Sequence, residues 1–134
     1  MLRFIAAIVT FVHSPVPDFK ANLAYWQRVL NLQDWQVSVQ VVAIGELDYD
    51  TVGDIDIQAC NKTATIRILR EQDSDLSRRL ARADQQLTLV HELVHLRRMV
   101  DGEDWHNEAA TVAQTTALVS LHHRRREAAA IEGL

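Results

Sequence analysis

Residues 91 to 95 read His-Glu-Leu-Val-His, and three of those five side chains carry chemistry that depends on their spacing. His91 and His95 are four positions apart, so on an α-helix they rise only ~6 Å and point to nearly the same side. Two imidazoles so placed can reach one ion, and zinc accepts such nitrogens at ~2.0–2.1 Å. Glu92 is turned ~100° from His91. That offset takes its carboxylate out of the coordination line and leaves it beside the water such an ion activates, where a general base for hydrolysis belongs. Leu93 and Val94, with Leu89, Leu96 and Val100, supply apolar surface to bury the helix and keep it rigid.

The flanks suit that placement. With Asp84 as N-cap, a helix from Gln85 to about Asp101 carries both histidines in its middle, and Gly102 follows as a stop signal. A catalytic zinc takes three protein ligands and keeps one position open, so a third ligand must come from elsewhere. Three residues compete. Asp101 lies six residues past His95, a spacing that needs a sharp turn and a glycine near position 98, where this chain has Arg98. His106, beside Trp105 at a helix start, reads more readily as a capping or surface residue. Glu108 is the best candidate. It opens a second helical pattern containing Val112, Thr115, Leu118, Val119 and Leu121, and an antiparallel helix joined through residues 101–104 brings its first turn back over the histidines.

The run His91-Glu92-x-x-His95 followed by Glu108 on a short downstream helix resembles the gluzincin group of zinc metallopeptidases, in a small single-domain form. Asn107-Glu108-x-x-Thr111 is similar to the Asn-Glu-x-x-Ser/Asp element that carries the third ligand in larger members. The specific match covers residues 84 to about 120. The resemblance implies that His91, His95 and Glu108 bind zinc, and that Glu92 polarises the attacking water and passes its proton to the leaving amine. The interval from His95 to Glu108 is shorter than in the larger enzymes, and no Tyr or His follows Glu108 at a position suited to stabilising an oxyanion. His122 is fourteen residues on, ~21 Å along the same helix. Other divalent ions also occupy nitrogen and carboxylate sites, so zinc is inferred from ligand type.

These residues need a scaffold. An amphipathic helix over about Asp18 to Leu30 places Phe19, Leu23, Trp26 and Leu30 near one face. Trp35, Val37, Val39 and Val41 alternate with polar residues, which predicts a half-buried strand. A second strand is expected from Asp54 to Cys60 and a third from Thr63 to Leu69, with Ala64, Ile66 and Ile68 inward and a tight turn at Asn61-Lys62. The expected fold is α+β: a small antiparallel or mixed sheet of about three strands packed on the site helix, a C-terminal helix and an N-terminal helix. In zinc peptidases of this build the strand bordering the cleft often takes extended substrate by strand addition, and Thr63 to Leu69 is the candidate edge. Asp48, Asp50 and Gly53 begin like a calcium loop, but its twelfth position is Ala59 in place of the bidentate Glu, so a solvated loop is expected.

At 134 residues the chain fits a single domain spanning 1–134, long enough to bury a core. Its one cysteine, Cys60, excludes an intrachain disulfide and reads as a buried thiol. Residues 1–17 form an apolar segment and linker. Phe4 to Val12 after Arg3 resembles the start of a secretory signal but is short and lacks a small-x-small cleavage site, so a retained segment in a cytoplasmic protein is expected. It is too short to span a bilayer, and packing it against the body or a neighbouring chain hides it, the latter as a homo-oligomer or with an assembly partner. The formal charge of −4 gives no general attraction to nucleic acid. His122 to Arg126 reads as a solvated helix end, although some small zincins of the SprT-like type work near DNA. The expected partner is a peptide or protein substrate. The runner-up is a zincin scaffold whose zinc stabilises an interaction or assembly protein.

Overall fold

The computed structural model describes residues 19–133. The apolar segment and linker at residues 1–17, and Asp18, lie outside the described residues. From Phe19 onward the order is α1 (Phe19–Val29), β1 (Gln36–Val42), β2 (Gly53–Gln58), β3 (Thr63–Leu69), α2 (Arg78–Val100) and α3 (Glu108–Glu132), with single 3-10 turns at Ile44–Glu46, Ala59–Asn61 and Glu71–Asp73. The fold is α+β. Among the described residues no helix is long and apolar enough to cross a membrane.

Local chemistry explains where the helices end. Asn31, at φ 55°, stops α1, with Asn31 N–H donating to Arg28 C=O and Leu32 N–H to Gln27 C=O. The same two-bond pattern closes α2 at Gly102, at φ 75°: Gly102 N–H donates to Met99 C=O and Glu103 N–H to Arg98 C=O. The stop expected at Gly102 is where the helix stops. Its start differs. Ser77 is the N-cap, its side chain accepting from Leu80 N–H, and Asp84 sits inside the helix, buried. The intervening Arg, Leu and Ala residues are good helix formers, so α2 extends back through them until a hydroxyl can cap it.

The three strands form one mixed sheet in the order β1-β3-β2, with β1 parallel to β3 and β2 antiparallel to it. β3 is therefore the central strand, and the expectation that Thr63 to Leu69 offers a free edge is wrong. Both its edges are used, and among the described residues the unpaired edge beside the cleft belongs to β2. Strand alternation holds on β3, where Ala64, Ile66 and Ile68 are buried. On β1 it fades, and Val41 is 51% exposed. β2 ends at Gln58, so Cys60 falls in the following 3-10 turn and is exposed; the buried thiol expected from the alternation is not there. The turn itself is longer than Asn61-Lys62 alone, running through Ala59–Asn61 to a left-handed Lys62.

α2 is the axis of the core. Leu87, Leu89, Val90, Leu93, Val94 and Leu96 are fully buried around its whole circumference, packed with Trp26, Leu30 and Leu32 on one side, Ile66 and Ile68 on another and Val119 of α3 on a third. A helix covered on all sides is rigid, and the residues that chemistry needs are fixed to it. Much of the arginine is tied to carboxylates: Arg78 and Arg82 to Glu71, Arg67 to Asp54, and Arg97 to Asp101.

Candidate metal centre

On α2, His91, Glu92 and His95 are each 5% exposed, and one ligand atom from each lies within 4.8 Å of the others. The two imidazole rings stand edge to face, centroids 4.8 Å apart. Over them comes the first residue of α3. One carboxylate oxygen of Glu108, Oε2, lies 3.1 Å from His91 Nε2, and the other, Oε1, lies 2.8 Å from His95 Nε2. The structure thus brings together the three residues proposed from sequence as ligands, with Glu92 beside them.

The donor set suits a divalent ion. His95 Nδ1–H donates to the Trp105 carbonyl at 2.5 Å, which leaves Nε2 as the nitrogen turned to Glu108. Oxygen acceptors therefore face both nitrogens of one imidazole, an arrangement satisfied either by a second ring proton or by a cation between Nε2 and the carboxylate. Ligand atoms around a tetrahedral zinc stand ~3.3 Å apart, and the two imidazole-to-carboxylate separations, 3.1 and 2.8 Å, fall near that spacing. Burial, followed by the charge of His95, lowers the His91 pKa to about 4, against the opposing pull of Glu108. His91 is accordingly neutral at pH 7, the form that ligates a metal.

Glu92 is the unusual group. Burial first, then the charges of Glu108 and Asp54, push its carboxyl up to about 8. Among the described residues no hydrogen bond or ion pair reaches it. It lines a cleft of about 120 Å³ together with residues 50–53, Thr88, His91 and Glu108. The Glu108 side chain is 58% exposed, so the site is closed from α2 and open toward solvent on the α3 side.

Several residues that position the site were missed in the sequence. Arg98, read only as the absence of a glycine, binds Glu103 and Gln114 through Nη1, at 2.9 and 3.2 Å, and the Asp104 carbonyl through Nη2 at 3.3 Å. It therefore holds the seven-residue loop, 101–107, that delivers both the Trp105 carbonyl and Glu108. The Asn107 side chain caps α3 by accepting from Ala110 N–H. Asp101 faces Arg97, and the His106 ring lies 3.9 Å from that of Trp105, so neither joins the cluster. His122 accepts or donates at Tyr25 Oη, 2.8 Å away, and packs against Trp26.

Gly53 sets the gap between β2 and α2. A Cβ there would lie 2.4 Å from Thr88 Cγ2 and 2.9 Å from the Arg67 carbonyl, closer than real contacts allow. Gly53→Ala is expected to destabilise the fold by about 2 kcal/mol, as overpacking typically does. Urea denaturation measures it, and an unchanged midpoint would show that β2 is free to move outward.

The chain matches no protein-family profile, no curated protein and no solved structure. Its functional reading rests on the site.

Proposed function

We propose that the chain is a zinc-dependent, metallopeptidase-like hydrolase with a gluzincin-type ligand set, His91, His95 and Glu108, and with Glu92 as general base. The observation that carries this reading is the convergence of one carboxylate on two imidazole Nε2 atoms, next to a buried carboxyl that has no bond to any described residue. Bound there, the ion supplies Lewis acidity toward a water and a carbonyl. The protein does the rest. His95 is oriented by the Trp105 carbonyl, and Glu108 is presented by the capped start of α3. Burial raises the proton affinity of Glu92, so its ionised form is a strong base that accepts a proton from water and gives it up to the departing nitrogen. An extended peptide fits the substrate class, because the open edge of β2 runs beside the cleft.

The competing reading is a scaffold whose ion stabilises an interaction or assembly protein without turnover. It is favoured by the cleft's lining, which among the described residues includes no Lys, Arg or Tyr side chain to stabilise an oxyanion. One experiment separates the two. The zinc-loaded chain, incubated with a pool of unstructured peptides and read by mass spectrometry, is expected to generate new termini that vanish with chelator and return with zinc. A chain that holds one zinc and cleaves nothing supports the scaffold.

A further inference from the structure

Addition of water to a peptide bond places negative charge on the carbonyl oxygen, and a hydrolase gains much of its rate from a donor waiting there. The cleft's side chains offer none. Thr51 Oγ1 donates to the Asp48 carbonyl and Thr88 Oγ1 to the Asp84 carbonyl, each at 2.8 Å. His91 Nε2 faces Glu108, Glu92 is engaged with the attacking water, and Asp50 and Glu108 are acids. Backbone N–H groups are what is left.

The sheet shows which of them is turned the right way. Gln36 N–H donates to the Lys62 carbonyl and Arg70 N–H to that of Val42, so even-numbered residues along β3 turn their backbone groups to β1. Leu69 N–H donates to the Val52 carbonyl, so odd-numbered ones turn to β2. Val52 and Leu69 are thus a hydrogen-bonded pair, and alternation makes Gly53 and Ile68 a non-bonded one. The N–H and C=O of Gly53, Ile55 and Ile57 consequently face the edge of β2 that no described strand pairs with. Of these three only Gly53 lines the cleft. It also comes close: its absent Cβ would stand 3.9 Å from Glu92 Oε1.

We infer that the Gly53 backbone N–H is the oxyanion donor of this cleft, and that an extended substrate is held along β2 with its scissile carbonyl at Gly53. The inference rests on the hydrolase reading above. Water oxygen bonds to the carbonyl carbon while its proton passes to Glu92, and the carbonyl π pair moves to the oxygen, which accepts from Gly53 N–H. Collapse restores the C=O as the C–N bond breaks, and the nitrogen leaves with the proton from Glu92. A glycine is needed because any Cβ pushes β2 away from Thr88, and with it the donor.

The test replaces Gly53 with glycolic acid, so that the N–H becomes an ester oxygen and no atom is added to crowd Thr88. The same exchange at Ile57, whose N–H faces the same edge ~13 Å further along, is the control. The probe is a peptidyl phosphonamidate, whose anionic oxygen stands where the oxyanion forms, titrated against the zinc-loaded protein. Loss of about 10²-fold in affinity is expected at position 53. The Ile57 ester should stay within about twofold of the native chain. The Gly53 amide proton of the native chain should move downfield on binding. Equal affinity of the Gly53 ester and the native chain overturns the inference while leaving the hydrolase reading intact. A native chain that holds zinc but does not bind the phosphonamidate overturns both.

Discussion

Glu108→Ala is expected to abolish tight zinc binding, and with it the stabilisation that zinc gives the fold. An ion that binds only the folded chain adds about 4 kcal/mol when its free concentration is a thousand times Kd. Under the same zinc concentration the Glu108→Ala chain should keep less than half of that, because the remaining imidazoles lose the carboxylate that closes the site. His91→Ala and His95→Ala should behave alike. Asp101→Ala and His106→Ala should keep native zinc content, since Asp101 is held by Arg97 and His106 lies against Trp105. Thermal unfolding with and without zinc, together with metal analysis of the dialysed chain, measures both. Native zinc affinity in Glu108→Ala would remove the gluzincin ligand set and leave His91, Glu92 and His95 as the cluster to examine.

Arg98 extends the same prediction to a residue that touches no ligand. Its guanidinium bridges Glu103, Gln114 and the Asp104 carbonyl, so it fixes the loop from which Trp105 and Glu108 both project. Groups that orient ligands in this way typically contribute 10–100-fold to metal affinity. The loop is short, and the geometry of the centre depends on how firmly it is held.

The legible part of this site was local. Four-residue spacing on a helix places His91 and His95 together regardless of what surrounds them, and Glu92 follows from the same rotation. Glu108 could be read because so short a connection after Gly102 forces the next helix to return antiparallel. The Trp105 carbonyl could not, because a backbone oxygen has no signature in the sequence. Gly53 left a faint signal, a glycine at the start of the alternating strand pattern Asp54-Ile55-Asp56-Ile57, which marks close backbone approach. What it approaches is set by the packing of β2 on α2.

The fold divides along the same line. Ala64, Ile66 and Ile68 alternate with polar neighbours because one face of β3 rests on α2, and that pattern survives in any strand order. The order itself depends on pairings between distant segments, so the central position of β3 was not visible in residues 63–69, whose edges look alike. Asp84 misled for a different reason. Short acidic residues cap helices when exposed, but here tertiary packing buries the position and Ser77, seven residues earlier, takes that role.

Glu92→Gln separates binding from catalysis and also tests the environment of the carboxyl. The variant should keep zinc and lose at least about 10²-fold in turnover, the lower end of what a positioned general base contributes. Its metal-free form carries an independent signature. The folded Glu92 holds its proton up to about 8, whereas the ordinary value is 4.5. Between those values the folded chain binds the proton more tightly than the unfolded chain does, so this contribution is full below 4.5 and is lost as pH rises through 8. His91 acts in the opposite sense, since its folded value near 4 lies below its ordinary 6.5, and its contribution is lost as pH falls from 6.5 toward 4. From pH 6.5 to 8 Glu92 therefore acts without His91. Over that interval the chelator-treated native chain should lose about 2 kcal/mol of stability, while Glu92→Gln, neutral throughout, loses none from this source. Urea unfolding at several pH values reads the difference. Parallel profiles for the two chains would mean that water already solvates the Glu92 carboxylate, and a base so exposed has no reason to be poised near neutral pH.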